Sequence, residues 1–371
     1  MSTLNTNTLH NLKHKRPIII YSATAFLLIL SFVLSYALIP GVVSKSAADK
    51  PDNGVDILKG IWISYIDFEP AGLYNKDKEE FTDNADSLFK DLSKKGFNTV
   101  YFHVRPFNDS IYPDSSFKWC TSLSDKKLKY DALAILIKAS HKYNIRFHAW
   151  INPYRITTGK IFNPGKKSST NRIIRGVKEI ITRYDVDGIH FDDYFYPSKK
   201  KGNQFYKVSI KKRKQIVNKM VKKVYRTIKD YDSSIEFGIS PAGNREYAES
   251  IGCDIKTWVN NTGYVDYLIP QVYWSDNYHR NGKKITLFTD TLDDWTSINQ
   301  GNVPLYTGLA LYKSGLKDAA DRDWKKYSNN IAKHIEISEN YSMDGFVMFS
   351  YASLLTKEGK KEFRACKNAM K

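Results

Sequence analysis

The sequence predicts a parallel (β/α)₈ TIM barrel, α/β in class, preceded by an N-terminal transmembrane helix. Three observations carry this prediction. Eight short runs of strand character recur along residues 57–371, and helical patterns fill most of the gaps between them. No glycine-rich phosphate turn follows the first run, where Ile66-Asp67-Phe68-Glu69-Pro70 stands instead. An open doubly wound sheet normally carries such a turn, whereas eight alternations of strand and helix suit a closed parallel barrel. A chain of 371 residues, 42% hydrophobic and 14% aromatic, can fill a core of that size.

The N-terminus comes first. Lys13, Lys15 and Arg16 precede an uncharged run at 17–43 whose centre, Phe26 to Leu38, is almost wholly apolar. About 20 such residues span a bilayer core. The positive flank places residues 1–16 as a cytoplasmic tail, 17–43 as a signal anchor in the cytoplasmic membrane, and the remainder outside the cytoplasm. A cleaved signal peptide is the alternative, but the apolar run is long for one, and Lys45 interrupts the small-residue site near Ser44 to Ala48. Residues 44–56 are polar and turn-rich, a linker to the domain at 57–371.

The expected strands are Gly60–Asp67, Phe97–Arg105, Ile145–Asn152, Asp187–Asp192, Ile235–Ser240, Val265–Tyr273, Pro304–Tyr312 and Asp344–Tyr351. Helical patterns include Glu79–Lys95, Tyr130–Tyr143, Thr170–Tyr184 and Asp321–Tyr341. The helix-to-strand turns echo one another as Lys95-Gly96-Phe97, Asp187-Gly188-Ile189 and Asp344-Gly345-Phe346, with glycine expected to supply the backbone freedom of a tight helix exit.

Net charge is +18, and thirteen lysines and arginines lie between Lys199 and Lys229. Val217, Met220, Val221, Val224, Tyr225 and Ile228 fall at helical spacing among them, so the lysines read as the solvated face of a packed amphipathic helix rather than a nucleic-acid surface. No nucleic-acid partner is expected. Cys120, Cys253 and Cys366 have neither disulfide nor zinc spacing and read as buried thiols. No cofactor is called for.

In such a barrel the chemistry gathers at the C-terminal ends of the strands. Those ends mix aromatic rings with amides, arginines and carboxylates. That mixture suits sugars, whose apolar faces stack on rings while their hydroxyls take directed hydrogen bonds. Along the fourth strand, alternation puts His190, Asp192 and Tyr194 on one face and Ile189 and Phe191 on the other. Asp192 then reaches the mouth with Asp193 beside it, and adjacent carboxylates can split acid and base roles by shifting each other's pKa. These two are the catalytic candidates, against the plainer reading of a helix cap or an arginine partner.

Binding candidates follow from residue type. Arg105 can orient Asp192 or hold a sugar carboxylate; Asn152, Asn244 and Gln271 offer neutral hydrogen bonds; Tyr154, Tyr194, Tyr273 and Trp274 offer stacking surfaces; His190 and Asp67 complete the set. Core packing is an equally ordinary fate for each aromatic. Candidates for a second carboxylate are Asp67, Glu69, Asp109, Glu246, Glu249 and Asp276. His103, His148 and His190 on neighbouring strands open a lesser alternative, a metal-dependent deacetylase, although no close His-x-His or His-x-x-Glu pair accompanies them and no metal is assigned.

The segments GIWISYIDF, GFNTVYFHVRPFNDSIYPDS, AWINPYRI, DGIHFDDYFYP, FGISPAGNR, DYLIPQVYW and GFVMFSYASL resemble those of the bacterial glycosyl-hydrolase-like family ten. The resemblance runs from Lys59 to Leu355. Members of that family include divisome glycosidases that cut peptide-stripped peptidoglycan strands, so it implies a barrel hydrolase centred on DGIHFDDYFYP and a wall glycan as substrate. That run is also similar to the DGxDxDxE run of family eighteen chitinases, where a substrate acetamido oxygen is the nucleophile and Gln271-Val272-Tyr273 would hold the acetamido group. Tyr194 stands where those chitinases have their catalytic Glu, which leaves Asp192 or Asp193 as the acid. A barrel that binds wall glycan without cutting it, recruiting wall or division machinery, is the alternative from another class.

Overall fold

The structure, a computed structural model, describes residues 57–301 and 303–370. The expected tail, anchor and linker at 1–16, 17–43 and 44–56 lie outside the described residues. Among the described residues, no helix is long and apolar enough to cross a membrane.

Eight strands form one parallel sheet: β1 (Leu58–Ile63), β2 (Thr99–Arg105), β3 (Arg146–Ile151), β4 (Gly188–Asp192), β5 (Glu236–Ser240), β6 (Tyr267–Leu268), β7 (Thr307–Leu309) and β8 (Gly345–Phe349). Each coincides with an expected run. Their order follows the chain, with β8 returning to pair with β1. The sheet's end strands meet through parallel bridges, Leu268 to Leu305 and Gln271 to Gly308, so the sheet curls back on itself as a TIM barrel does. β6 is shorter than expected because Pro270 has no N–H to give to a ladder.

The helices fill the gaps: α1 (Lys78–Lys94), α2 (Ala132–Lys142), α3 (Lys167–Ile181), α4 (Ile210–Lys229), α5 (Arg245–Ser250), α6 (Ile255–Asn260), α7 (Leu287–Ile298), α8 (Asp323–Lys326), α9 (Asn330–Asn340), α10 (Tyr351–Leu355) and α11 (Lys357–Ala365). The stripe expected on α4 is there: Val217, Met220, Val221, Val224 and Ile228 are buried, and most of its lysines face outward. The single helix expected over Asp321–Tyr341 is instead α8 and α9. Asp321 stays out of the helix because its fully buried carboxylate accepts from Ser275 Oγ at 2.5 Å and Trp324 Nε1 at 2.7 Å. All three cysteines are buried and unpaired.

Alternation along the strands sorts two cores. Ile189 and Phe191 join the large apolar shell between sheet and helices. The other faces fill the interior with Trp62, Tyr101, Trp150, Tyr267 and Tyr306. Rings this large need small neighbours. A methyl added at Gly238 would enter the Tyr267 ring, and one at Gly188 would enter the His148 imidazole. Gly188 therefore has a packing reason rather than the expected turn reason, whereas Gly96 does adopt positive φ (87°) at its helix exit.

The feet of the strands are tied pairwise. Asn98, just before β2, accepts from Lys59 N of β1 at 2.9 Å; Asp187, before β4, accepts from Phe147 N of β3 at 2.7 Å. Asp266, before β6, accepts from Phe237 N of β5 at 2.7 Å; Asp344, before β8, accepts from Leu305 N below β7 at 2.9 Å. Each tie gives a backbone N–H at the foot of the preceding strand a side-chain partner. Replacing Asp187 by Ala removes one tie together with its 2.9 Å contact to His141. The expected cost is about 1–3 kcal/mol, read as a lower urea midpoint at constant m; an unchanged midpoint would show that the tie holds nothing.

Candidate active site

Asp192 is the last residue of β4, in register with Ser240 of β5. Both Asp192 and Asp193 are buried, at 7% and 8% exposure. Asp192 Oδ1 accepts from the backbone N of Asp193 at 2.9 Å and from Gln271 Nε2 at 3.3 Å. Gln271 is held in turn by donating to Ser240 O at 3.0 Å. Asp193 reaches both ways: its carboxyl lies within hydrogen-bond reach of the Asp192 carboxyl, its Oδ2 accepts from Ala242 N at 2.7 Å, and its charge is felt by Tyr247 and Cys253 towards α5. The structure thus brings Asp192, Asp193 and Gln271 together at the mouth.

Burial raises both carboxyls. Desolvation is the larger cause for each; the Asp192 charge adds to the rise of Asp193, while the Asp193 N–H, the Arg155 charge and Gln271 hold Asp192 back at about 6. The pair therefore retains a proton above the ordinary carboxylate range, and that proton belongs to the pair.

Beneath Asp192, His190 lies wholly inside the barrel. Trp62 Nε1 can only donate, and it lies 3.3 Å from His190 Nε2, so Nε2 accepts and Nδ1 carries the hydrogen towards the Tyr267 hydroxyl at 3.2 Å. Tyr267 also meets His148 Nδ1 at 2.9 Å, and His148 Nε2 lies 3.4 Å from Glu236. Burial, helped by the His148 charge, pushes the His190 pKa well down. His190 is a neutral support for the site rather than part of its lining. His103 and His148 likewise belong to the ring-packed interior, His103 stacking flat on Trp150 at 3.6 Å. Among the described residues, no three of His, Cys, Asp and Glu converge as a metal set.

Tyr273 is half-buried at the mouth, its ring 5.7 Å from Tyr312 and 6.2 Å from Phe349, and the charge on Asp192 reaches its hydroxyl. Tyr194 is 42% exposed and lies under the Arg155 guanidinium. Trp274 is half-buried against Gly243, where an added methyl would strike it. These rings suit a sugar-binding surface.

Four further expectations are corrected. Arg105 does not approach Asp192. A bulge between His103 and Arg105 breaks the alternation of β2, turning Arg105 towards the helices, where it lies 3.4 Å from the Phe117 ring centroid and against Gly176 of α3. Tyr154 is fully buried in the outer apolar shell, edge-on to Phe195. Asn244 caps α5 by accepting from Tyr247 N at 2.8 Å. Asp67 is a clasp: its two oxygens accept from Ser64 N, Ser64 Oγ, Ser350 Oγ and Ala352 N at 2.6–2.7 Å, tying the end of β1 to the start of α10. Asn152 stays near the mouth, donating to Pro106 O at 2.7 Å and neighbouring His103.

The other proposed acids are also occupied or exposed. Asp109 accepts from Phe107 N at 3.0 Å, Glu249 pairs with Lys214 at 2.9 Å, and Asp276 accepts from Thr289 N at 2.8 Å. Glu69 and Glu246 are exposed. Residue-type reasoning missed Arg155, Phe107, Tyr65 and Tyr312, which join the mouth from loops just beyond the strands. The available signal was position: Arg155 and Phe107 follow the third and second expected strands, and Tyr65 and Tyr312 stand at the C-terminal ends of the first and seventh.

An unfolded Asp titrates near 3.9. Because the folded pair binds its proton more tightly, its contribution favours folding at low pH and is lost as pH rises through about 6. Replacing Asp192 by Asn removes this ionisation, so the variant's Tm should gain on the wild type between pH 4 and pH 7. Parallel Tm–pH curves would contradict the assignment.

A family model described as glycosyl hydrolase-like 10 matches residues 57–160 and 155–326. Glycosyl hydrolase YngK of Bacillus subtilis (strain 168) is 31% identical over 322 residues, covering 69% of this chain and 61% of the relative. The chain thus spans less than two thirds of that relative's length. Glycosyl hydrolase DigH of Escherichia coli (strain K12) is 28% identical over 365 residues, covering 76% of this chain and 80% of the relative. The endo-1,4-β-mannanase of Rhizomucor miehei superposes with a TM-score of 0.59 at 11% identity, over 88% of this chain and 98% of that one, a likeness of fold alone. With the family model spanning most of the barrel and the site lying within it, this chain belongs to the glycosyl hydrolase-like 10 family.

Proposed function

We propose that the protein is a glycoside hydrolase that cuts the glycan strands of peptidoglycan, held at the outer face of the cytoplasmic membrane by residues 17–43. The observation that carries the hydrolase reading is Asp192: a buried, proton-retaining carboxyl fixed by Gln271 at the mouth of a parallel barrel, among sugar-sized aromatic faces. A raised carboxyl pKa is what a general acid needs near neutral pH. The choice of glycan rests on the sequence resemblance and on the uncharged run that would export the domain.

Ordinary retaining and inverting enzymes need a second carboxylate facing the first across the scissile bond. Every other candidate acid is engaged or exposed, and Asp193 adjoins Asp192 in one hydrogen-bonded pair rather than standing opposite it. The reading therefore takes the substrate's own 2-acetamido oxygen as nucleophile. Asp192 gives its proton to the glycosidic oxygen as the C1–O bond breaks, and the acetamido oxygen bonds to C1. Water then opens that ring, returning a proton to Asp192. Gln271 and Tyr273 position the sugar, and Asp193 acts through Asp192 by keeping the shared proton in place.

Zymography on purified peptidoglycan compares wild type with Asp192→Asn and Asp193→Asn. Clearing by the wild type, reduced at least about a hundredfold in Asp192→Asn, is expected, with Asp193→Asn also impaired. Equal clearing by all three sinks the catalytic assignment. No clearing by any, with glycan pull-down intact, identifies a binding barrel instead.

A further inference from the structure

Arg155 opens a short hairpin after β3, in which Arg155–Thr157 pairs with Lys160–Ile161. Its guanidinium carbon lies 4.1 Å from the centroid of the Tyr194 ring and 5.1 Å from that of Phe107. Two aromatic faces therefore hold the group over the mouth. The residue is only 9% exposed. Among the described residues, no carboxylate lies within ion-pair distance of it and none receives a hydrogen bond from it.

A cation so far removed from water is costly unless a counter-charge is close. Asp192 feels its charge only at longer range, with no ion pair or hydrogen bond joining the two among the described residues. The same positive charge acts on Tyr194, a ring of the mouth, and on the buried His103. Stacking occupies the flat faces of a guanidinium and leaves its N–H edge, a fork whose spacing matches the two oxygens of a carboxylate. One guanidinium balances one carboxylate, whereas a doubly charged phosphate would call for more cations than this mouth supplies.

We propose that Arg155 reads a carboxylate on one sugar of the glycan and makes the cleft selective for acidic over neutral amino-sugar chains. This rests on the hydrolase reading of the same site and adds to it the residue that sets specificity. Lysine would keep the charge but lose both the stacking plane and the fork.

The test uses the full chain and two probes: peptide-free peptidoglycan strands, and the same strands with their carboxylates chemically reduced to alcohols. Wild type should favour the acidic strands in kcat/KM by about tenfold to a hundredfold, the range of a charge-assisted hydrogen-bonded pair. Arg155→Gln should lose that preference: any change it makes through the Asp192 carboxyl falls on both strands alike, while KM for acidic strands rises by about the same factor beyond KM for reduced strands. Arg155→Lys should recover part of the preference, which a merely structural role would not produce. Equal losses on both strands, or no preference in the wild type, would overturn the role of Arg155 and leave the hydrolase intact. Wild type inert on both strands would overturn the hydrolase reading and the specificity together.

Discussion

The register of the eight strands is the constraint on which the site depends, and it is set at the end of the barrel opposite the chemistry. Asn98, Asp187, Asp266 and Asp344 each fasten a backbone N–H at the foot of the strand before them. A one-residue slip between parallel strands would turn every side chain to the other face. Asp192 would then point into the helix shell, and Phe191 into the barrel. With the feet tied, Asp192 aligns with Ser240, and Gln271 bridges to Gly308 at the same level. Three chain segments, far apart in sequence, thus present one carboxyl and one amide to the same cleft.

The interior converts that geometry into chemistry. The barrel is filled by the buried rings of Trp62, Tyr101, Trp150 and Tyr267, and a chain of polar contacts runs through it from Trp62 through His190 and Tyr267 to His148. Asp192 sits on this dry plug. Its carboxyl is raised mainly because solvent is excluded, not because of a strong local charge. Gly188 and Gly238 belong to the same device, since the rings that dry the interior fit only where neighbouring strands lack a side chain. Asp67 plays a matching part at the rim, where its four hydrogen bonds hold β1 and the segment after β8 together.

All eight strands were legible in the sequence because parallel strands covered on both sides read as apolar runs, and here each is punctuated by Gly, Asp or Asn. Asp192 was legible from alternation alone. Arg105 was not, since a bulge of one residue is invisible to a period-two reading and reverses its conclusion. Tyr154 and Arg155 form an instructive pair. They are adjacent in one loop, and the hairpin sends the tyrosine into the apolar shell and the arginine over the mouth. Asn244 carried a cap signal, an Asn before a helical stretch, that its place at a strand end obscured. The strand feet were half visible: the Asp-Gly echo at Asp187 and Asp344 drew notice for its glycines, while the carboxylates beside them carry the ties.

Asp192 as proton donor is the centre of this account, and the most direct measurement is a crystal structure of Asp192→Asn with a bound peptide-free glycan oligosaccharide. The account predicts the scissile oxygen within hydrogen-bond reach of residue 192, about 2.6–3.2 Å, with the acetamido group of the preceding sugar folded beneath C1 beside Gln271 and Tyr273. An oligosaccharide bound elsewhere on the molecule, or lying across the mouth with that oxygen turned away from residue 192, would contradict it.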